Sequence, residues 1–183
     1  MNHEILNANP GRISIGKVVV MGVCGAGKTT IAQQLASHFQ GCYLDADNYH
    51  PPENIQKMAS GISLNDEDRG PWLQSLAKLI EQHSVNDDGP LFLACSALKQ
   101  SYRDILRTGD PSLHFLCLTG SRDVLWNRLT NRQHSFMPPS QLDNQLATLE
   151  IPHDEIVVDI DQPLESLIDQ CVQGIIALNE NER

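Results

Sequence analysis

The sequence predicts a three-layer α/β domain in which helices cover both faces of a parallel sheet of about five strands. Short, continuous apolar runs such as residues 18–21 alternate with longer segments in which apolar residues recur at helical spacing. A glycine-rich segment separates the first apolar run from the first helical segment, an arrangement typical of a phosphate-binding loop. At 183 residues, the chain has the length of one domain with a substantial core.

The same patterns predict the individual elements in order. Residues 17–21 form the first strand, and a helix from residue 28 to about 39 places Ile31, Leu35 and Phe39 on one face. Brief apolar runs predict further strands at 42–44, 91–95, 113–118 and 156–160. Helices are predicted at about 51–58, 72–82, 123–132, 140–149 and 164–178, together with one that begins near Lys99.

The acidic composition argues against two classes of partner. A net charge of −10 and a pI near 5.0 disfavour a nucleic-acid-binding surface and attraction to anionic lipid. More than half of the basic residues nevertheless fall inside the motifs described below, which indicates a local cationic site for an anionic substrate. These residues are Lys28, Arg69, Lys99, Arg103, Arg107, Arg128 and Arg132.

Cysteine usage and the chain start indicate a cytoplasmic enzyme. The five cysteines show no Cys-x-x-Cys spacing, and we expect them to be small buried hydrophobic residues in a reducing compartment. No apolar run approaches the roughly 20 residues that a membrane-spanning helix needs. Residues 1–16 lack the layout of a signal peptide and are predicted to form a flexible arm before a single domain at 17–183.

The segment GVCGAGKT, residues 22–29, matches the pattern Gly-x4-Gly-Lys-Ser/Thr at every position. Glycines let successive backbone N–H groups curl around the β-phosphate of a nucleotide, where side chains would block the approach. We expect Lys28 to bridge the β- and γ-phosphates, and Thr29 to offer its hydroxyl to Mg2+ at the start of the helix. The alternative is a turn that binds nothing, but the flanking strand and helix favour nucleotide binding.

Two carboxylates, Asp45 and Asp47, follow the second strand. Ligands of open parallel sheets bind at the carboxyl ends of the strands, so both should face the phosphate loop. Since they are two residues apart in a segment predicted to be extended, we expect them to point the same way. The third strand ends without the acidic residue that often serves Mg2+, which makes Asp45 the candidate metal residue. Turn or capping aspartates are the alternative interpretation, above all for Asp45.

Several cations also carry two interpretations each. Arg69 lies among Asp66, Glu67 and Asp68, which either orient it toward a substrate carboxylate or only neutralise it. Lys99, Arg103 and Arg107 are spaced i, i+4, i+8, so they form either a solvated face or a basic stripe that contacts substrate.

The last pair of cations, Arg128 and Arg132, lies one turn apart at the end of a predicted helix. Such residues either cap the helix or belong to a mobile lid, about 128–140, that brings positive charge to the transferred phosphoryl group.

The motifs taken together resemble those of the small phosphate-loop gluconokinases, which are related to shikimate and adenylate kinases. The segments that carry the resemblance are GVCGAGKTT, LDADNYHPPENIQKMASGISLNDEDRGPWL, CSALKQSYRDILR, RLTNRQHSFM, QLDNQLATLE and VVDIDQP. The phosphate loop is shared by many unrelated proteins, whereas HPPEN followed by KMASG and DEDRGPWL is far more specific. The resemblance covers nearly all of residues 17–163.

This resemblance implies a phosphate-loop kinase fold and an activity. The implied reaction is ATP-dependent phosphorylation of D-gluconate to 6-phospho-D-gluconate with Mg2+, feeding the pentose phosphate or Entner-Doudoroff route. A homodimer is also implied, and the substrate is expected to bind a segment at about 48–72. The lid departs from the family's usual Lys-Gly-His-Phe, because residues 133–136 read QHSF; here His134 is interpreted as a solvent-facing loop residue.

The resemblance also implies roles for single residues. Those for ATP are Gly22, Gly25, Ala26, Gly27, Lys28, Thr29, Thr30, Arg128, Gln162 and Pro163. Those for gluconate are Asp47, His50, Arg69, Lys99 and Arg103. By the same resemblance, Asp45 binds metal-bound water, Asp47 accepts or orients the substrate hydroxyl, and Lys28 and Arg132 assist catalysis.

Two other functions remain open at this point. The first is another small-molecule kinase on the same scaffold, for shikimate or a nucleoside monophosphate, although shikimate kinases carry a glycine run where this chain has Cys95-Ser96-Ala97. The second is a nucleotide-dependent switch, but the chain has no Asn-Lys-x-Asp for guanine and no Asp-x-x-Gly switch motif.

Overall fold

A computed structural model of the chain describes residues 15–131 and 139–181. The strands in this part of the chain are β1 (Lys17–Met21), β2 (Cys42–Asp45), β3 (Leu91–Ala94), β4 (His114–Thr119) and β5 (Ile156–Asp159). The helices are α1 (Lys28–His38), α2 (Pro52–Ala59), α3 (Asp66–Gln82), α4 (Val85–Asp88), α5 (Gln100–Arg107), α6 (Arg122–Thr130), α7 (Pro139–Thr148) and α8 (Leu164–Asn181). A 3-10 helix, Ala46–Tyr49, follows β2.

The five strands form one parallel sheet in the order β2-β3-β1-β4-β5. Every residue of β1 and β3 is buried, as expected for parallel strands covered on both faces. One hydrophobic cluster joins the sheet to α1, α6, α7 and α8, and a second joins it to α3 and α5. The predicted three-layer architecture with a five-stranded parallel sheet is confirmed.

Helix α3 begins earlier than the sequence predicts, at Asp66 rather than at Trp72. Asn65 and Asp68 form a capping box, in which each side chain accepts a hydrogen bond from the other residue's backbone N–H. Three acidic residues in the first turn complement the positive end of the helix dipole. The acidic cluster is therefore the first turn of α3, and Pro71 lies inside the helix.

Two predicted segments are described only in part. Of the predicted arm at residues 1–16, only the last two are described: Ile15 is buried in the core, and the carbonyl of Gly16 accepts a hydrogen bond from the Leu91 N–H. Of the predicted lid at 128–140, residues 132–138 lie outside the described part, and Arg132 and His134 lie there too. No helix of the described residues is long and apolar enough to cross a membrane.

Candidate functional site

The loop between β1 and α1 has the backbone that a phosphate-binding loop requires. Gly22 and Gly27 have φ angles of 143° and 96°, which other residues rarely adopt. A Cβ atom on Gly22 would also lie 2.6 Å from the carbonyl oxygen of Leu118. No side chain caps α1 at Gly27, so the positive end of this helix faces the loop without a side-chain cap.

The ammonium of Lys28 folds back over the loop and donates a hydrogen bond to the Val23 carbonyl, at 3.0 Å. Burial lowers the pKa of this ammonium, while the nearby carboxylates of Asp47 and Asp45 act in the opposite direction. A phosphate group arriving in the loop would supply a closer anionic partner. The Lys28 ammonium therefore lies inside the loop between β1 and α1, and its role toward phosphate stays a prediction.

Asp45 lies beside Thr29, the other residue predicted to serve the metal. Its Oδ2 accepts hydrogen bonds from the Thr29 hydroxyl at 3.1 Å and the Tyr43 hydroxyl at 3.0 Å. Its Oδ1 accepts one from the Asp47 backbone N–H, so Asp45 also caps the 3-10 helix. A carboxylate and a hydroxyl are the oxygen donors that Mg2+ prefers. The two side chains therefore supply donors that fit a magnesium ion.

The prediction that Asp45 and Asp47 lie on one extended segment, and therefore point the same way, is wrong. The chain leaves the strand at Asp45 and turns into the 3-10 helix, because the Asp45 carboxylate captures the next-but-one backbone N–H. Asp47 consequently extends into solvent, with 87% of its side chain exposed. Asp47 nevertheless lies close enough to the phosphate loop for its negative charge to act on Lys28, where it acts to raise the pKa of the ammonium.

His50 packs between α3 and the 3-10 helix Ala46–Tyr49, which we call the Asp47 turn. Its ring stacks on the indole of Trp72, with centroids 4.2 Å apart and planes 15° apart, and its Nε2 lies 3.9 Å from Asp47 Oδ1. The Trp72 indole N–H donates to the Ala46 carbonyl at 2.9 Å, which ties the same turn to α3. Burial lowers the pKa of His50, Arg69 lowers it further, and Asp47 opposes both effects.

Asn54, which the sequence interpretation missed, connects α2 to this cluster. It is the one buried residue of α2, while its neighbours Ile55 and Met58 are exposed. Its Nδ2 donates to the Asp68 carbonyl at 2.8 Å and lies 3.5 Å from His50 Nδ1. Because this helix buries an asparagine and exposes apolar residues, the usual hydrophobic pattern of a helix gives no signal for Asn54.

Two of the predicted gluconate-binding cations, Arg69 and Lys99, meet at one aromatic ring. The Arg69 guanidinium carbon and the Lys99 Nζ lie 5.7 and 5.4 Å from the centre of the Tyr102 ring. Lys99 also pairs with Asp66 at 2.7 Å, and the Tyr102 hydroxyl donates to the same carboxylate. The Arg69 Nη1 donates a hydrogen bond to the Leu64 carbonyl, and the other N–H groups of the guanidinium are further hydrogen-bond donors.

The prediction of one basic stripe at Lys99, Arg103 and Arg107 is wrong. Arg103 is only 2% exposed and donates to the carbonyls of Ala97 and Leu98 at 3.1 and 3.3 Å. Arg107 pairs with Glu155 instead. Each cation therefore has a different partner, and Arg103 supports the loop between β3 and α5 from beneath rather than facing an open site.

The nucleotide side of the site brings Arg128 to the phosphate loop. Its Nη2 donates to the Ile160 carbonyl at 2.6 Å, and its Nη1 would lie 3.8 Å from a Cβ atom on Gly27. The side chain of Gln162 donates to the Asp159 carbonyl and to Gln170, which orders the loop after β5. Arg128, in the last turn of α6, therefore lies next to the loop after β5 that is predicted to contact adenine.

Gln145, a residue of α7 that contacts the phosphate loop, was not identified from the sequence. Its Oε1 accepts a hydrogen bond of 2.7 Å from the Cys24 backbone N–H. Just beyond α7, Glu150 accepts from the Gln100 N–H at 2.6 Å and donates its own N–H to the Leu98 carbonyl. Since 121 residues separate Gln145 from Cys24, no local pattern could have shown this contact.

Comparisons with known proteins show which family and which solved structures the chain resembles. A family model described as shikimate kinase matches residues 24–173. The thermosensitive gluconokinase of Escherichia coli K12 is 39% identical over 168 residues, covering 89% of each chain. The thermoresistant gluconokinase of that strain is 44% identical over 161 residues, covering 86% of this chain and 91% of that protein. A crystal structure of a gluconokinase from Sinorhizobium meliloti 1021 matches with a TM-score of 0.84 at 41% identity. The match covers 91% of this chain and 94% of that chain.

Proposed function

This chain belongs to the shikimate kinase family and, within it, to the gluconokinases, and on that premise we propose that it transfers the γ-phosphoryl group of ATP to the terminal primary hydroxyl of D-gluconate. The observation that carries the proposal is the pairing of two halves of one site. A phosphate loop with Lys28 lies next to the Asp47 turn, and Arg69 and Lys99 gather nearby around Tyr102.

The phosphate loop holds the nucleotide in this proposal. Backbone N–H groups and Lys28 bind the β- and γ-phosphates, and Arg128 borders the adenine with the loop at Gln162. Thr29 and Asp45 would hold Mg2+, Thr29 by its hydroxyl and Asp45 through water. When bound, Mg2+ would neutralise part of the negative charge of the nucleotide phosphates.

Asp47 orients the acceptor hydroxyl toward the γ-phosphorus. The new bond joins the substrate oxygen to phosphorus, the bond from phosphorus to the β–γ bridging oxygen breaks, and ADP leaves. The hydroxyl proton passes to the Asp47 carboxylate and from there to water. Lys28 stabilises the negative charge on the transferred group, so positioning and electrostatics supply most of the catalysis.

Arg69 and Lys99 serve the other end of the substrate. Gluconate carries its carboxylate at the end of the chain opposite the reacting hydroxyl, so a cation at a distance from Asp47 selects a sugar acid over a neutral sugar. The Lys99–Asp66 pair is surface-exposed, and an arriving carboxylate can compete with Asp66 for the ammonium.

The setting of the enzyme completes the proposal. We propose a cytoplasmic homodimer. Exposed apolar side chains at Val157 on the edge strand β5 and at Leu164 at the start of α8 are a surface on which a second copy could pack. Light scattering after size exclusion measures the mass directly, and a monomer at micromolar concentration would remove the dimer from the proposal.

The test of the activity is ADP release with ATP and Mg2+ against gluconate, shikimate, glycerate and nucleoside monophosphates. Stimulation by gluconate alone supports the proposal. Stimulation by another acceptor alone refutes the substrate, and a rate that ignores every acceptor favours a nucleotide switch. In the Asp47→Asn variant, turnover should fall by about two orders of magnitude or more while ATP binding persists.

A further inference from the structure

We propose that Asn54 is a positioning residue that holds His50 as a neutral imidazole with its proton on Nε2, the nitrogen that faces Asp47. His50 then serves the acceptor hydroxyl as an uncharged hydrogen-bond donor. The inference about the ring stands on geometry alone, whereas its catalytic consequence rests on the function proposed above.

The orientation of the Asn54 amide is fixed by a group that can only accept. Its Nδ2 lies 2.8 Å from the Asp68 carbonyl oxygen, so the amide nitrogen, and not the amide oxygen, must occupy this position. The same nitrogen lies 3.5 Å from His50 Nδ1. A proton on Nδ1 would set two donors against each other, so Nδ1 carries the lone pair and accepts.

The opposite edge of the ring favours the same form. Nε2 lies 3.9 Å from Asp47 Oδ1, and a lone pair there would face a carboxylate, whereas an N–H is attracted to it. The stack on Trp72 fixes the plane of the ring. Only 5% of the His50 side chain is exposed, so water cannot easily replace either contact. Two contacts on opposite edges therefore select one tautomer.

The neutral form has a chemical advantage at this position. An imidazolium would form an ion pair with Asp47 and compete with the substrate hydroxyl for the carboxylate. A neutral Nε2–H leaves the carboxylate free to accept from the hydroxyl, and it can donate to the hydroxyl oxygen itself. The charged groups that act on the ring are Asp47 and Arg69, and burial together with Arg69 holds the pKa of His50 below its ordinary value. Arg69 and Lys99 thus bind the substrate carboxylate, whereas Asp47 and the neutral His50 bind the reacting hydroxyl.

The test is 15N NMR of the imidazole side chains in the full chain without substrate. The protonated and unprotonated nitrogens of a neutral ring resonate at well-separated frequencies, and a His50→Gln variant assigns the His50 signals among the seven histidines. We expect the wild-type ring to be neutral at pH 7 with the proton on Nε2. A proton on Nδ1, or a doubly protonated ring at that pH, overturns the proposal without any variant of Asn54.

Two variants of Asn54 separate positioning from simple support. Asn54→Leu and Asn54→Asp both lose the hydrogen bond to the Asp68 carbonyl, but only the aspartate accepts from Nδ1–H. We expect Asn54→Asp to move the proton to Nδ1 or charge the ring, and Asn54→Leu to leave a mixture of tautomers. With gluconate, kcat should fall about tenfold further in Asn54→Asp than in Asn54→Leu.

Equal effects of the two variants, with an unchanged ring in both, would show that Asn54 only ties α2 to α3. The spectra need neither ATP nor gluconate, so they remain decisive if the acceptor proves to be a different compound. Conversely, the panel of acceptors tests the proposed function whichever tautomer the ring adopts.

Discussion

The imidazole of His50 lies flat against the indole of Trp72, 4.2 Å from it and 15° from parallel, and this contact removes the ring from water at the edge of an open site. The stack is fixed from behind, because the Trp72 N–H binds the Ala46 carbonyl at the start of the Asp47 turn. The Trp72 indole, which is buried in the core, therefore contacts both His50 and the backbone of the Asp47 turn.

This burial predicts a pH dependence of stability. The pKa of His50 is lowered in the folded protein from 6.5, so below that pH the unfolded chain binds the proton first. The free energy of unfolding should therefore decrease as pH falls from 6.5 through the lowered pKa, and this component should be fully present above 6.5. Urea titrations of the wild type and His50→Gln at several pH values measure it. Parallel curves for the two proteins would contradict the prediction, since the other histidines contribute equally to both.

Asp45→Asn should weaken the response to Mg2+. The amide keeps the shape of the side chain but removes the charge that faces Thr29, and outer-shell changes of this kind typically cost about 10- to 100-fold in metal affinity. ADP release as a function of Mg2+ concentration at saturating ATP and gluconate measures the shift. Tyr43→Phe is the matched control, because it removes one donor to Asp45 and keeps the carboxylate. An unchanged Mg2+ requirement in Asp45→Asn would remove the residue from the metal site.

Gln145→Met should loosen the phosphate loop from a distance. The variant keeps the length of the side chain but loses the acceptor for the Cys24 N–H, a hydrogen bond worth about 1 kcal/mol or about fivefold in an equilibrium. We expect faster hydrogen exchange at Cys24 and a KM for ATP raised by about that factor, with the KM for gluconate unchanged. Asn144→Met, one residue away and exposed, is the control. Unaltered exchange at Cys24 would show that the contact does not constrain the loop.

Arg103→Met and Lys99→Met should separate stability from binding. Arg103→Met removes the guanidinium donor from the Ala97 carbonyl and leaves the Leu98 carbonyl with only the Glu150 N–H, so the free energy of unfolding should fall by about 2–4 kcal/mol. Lys99→Met removes an exposed ion pair and should change stability by less than about 1 kcal/mol. The KM for gluconate should rise in Lys99→Met. Urea unfolding measures the stability of both variants, and steady-state kinetics measure their KM for gluconate. An Arg103→Met variant that is as stable as the wild type but binds gluconate poorly would restore Arg103 to the substrate site.

The parts of the molecule that were predictable from sequence are those with local causes. Continuous apolar runs identified the strands, and the spacing of glycines with Lys28 and Thr29 identified the phosphate loop, because both depend on neighbours in the chain. The Asp47 turn was missed because a hydrogen bond from the Asp47 backbone N–H to the Asp45 carboxylate redirects the backbone. The basic stripe was misinterpreted because the partner of Arg107, Glu155, lies 48 residues further along the chain.

The segments proposed to bind the two substrates follow strands that differ in burial and in their position in the sheet. The phosphate loop follows β1, which is buried and paired on both sides, whereas the Asp47 turn follows β2 at the edge of the sheet, and α2 beyond it buries only Asn54. Segments at a sheet edge with few buried contacts open at lower free energy than a central strand. On warming, the acceptor half should therefore open by local fluctuation while the nucleotide half is still folded. Heat would then leave a protein that still binds ATP but has lost the site for its acceptor.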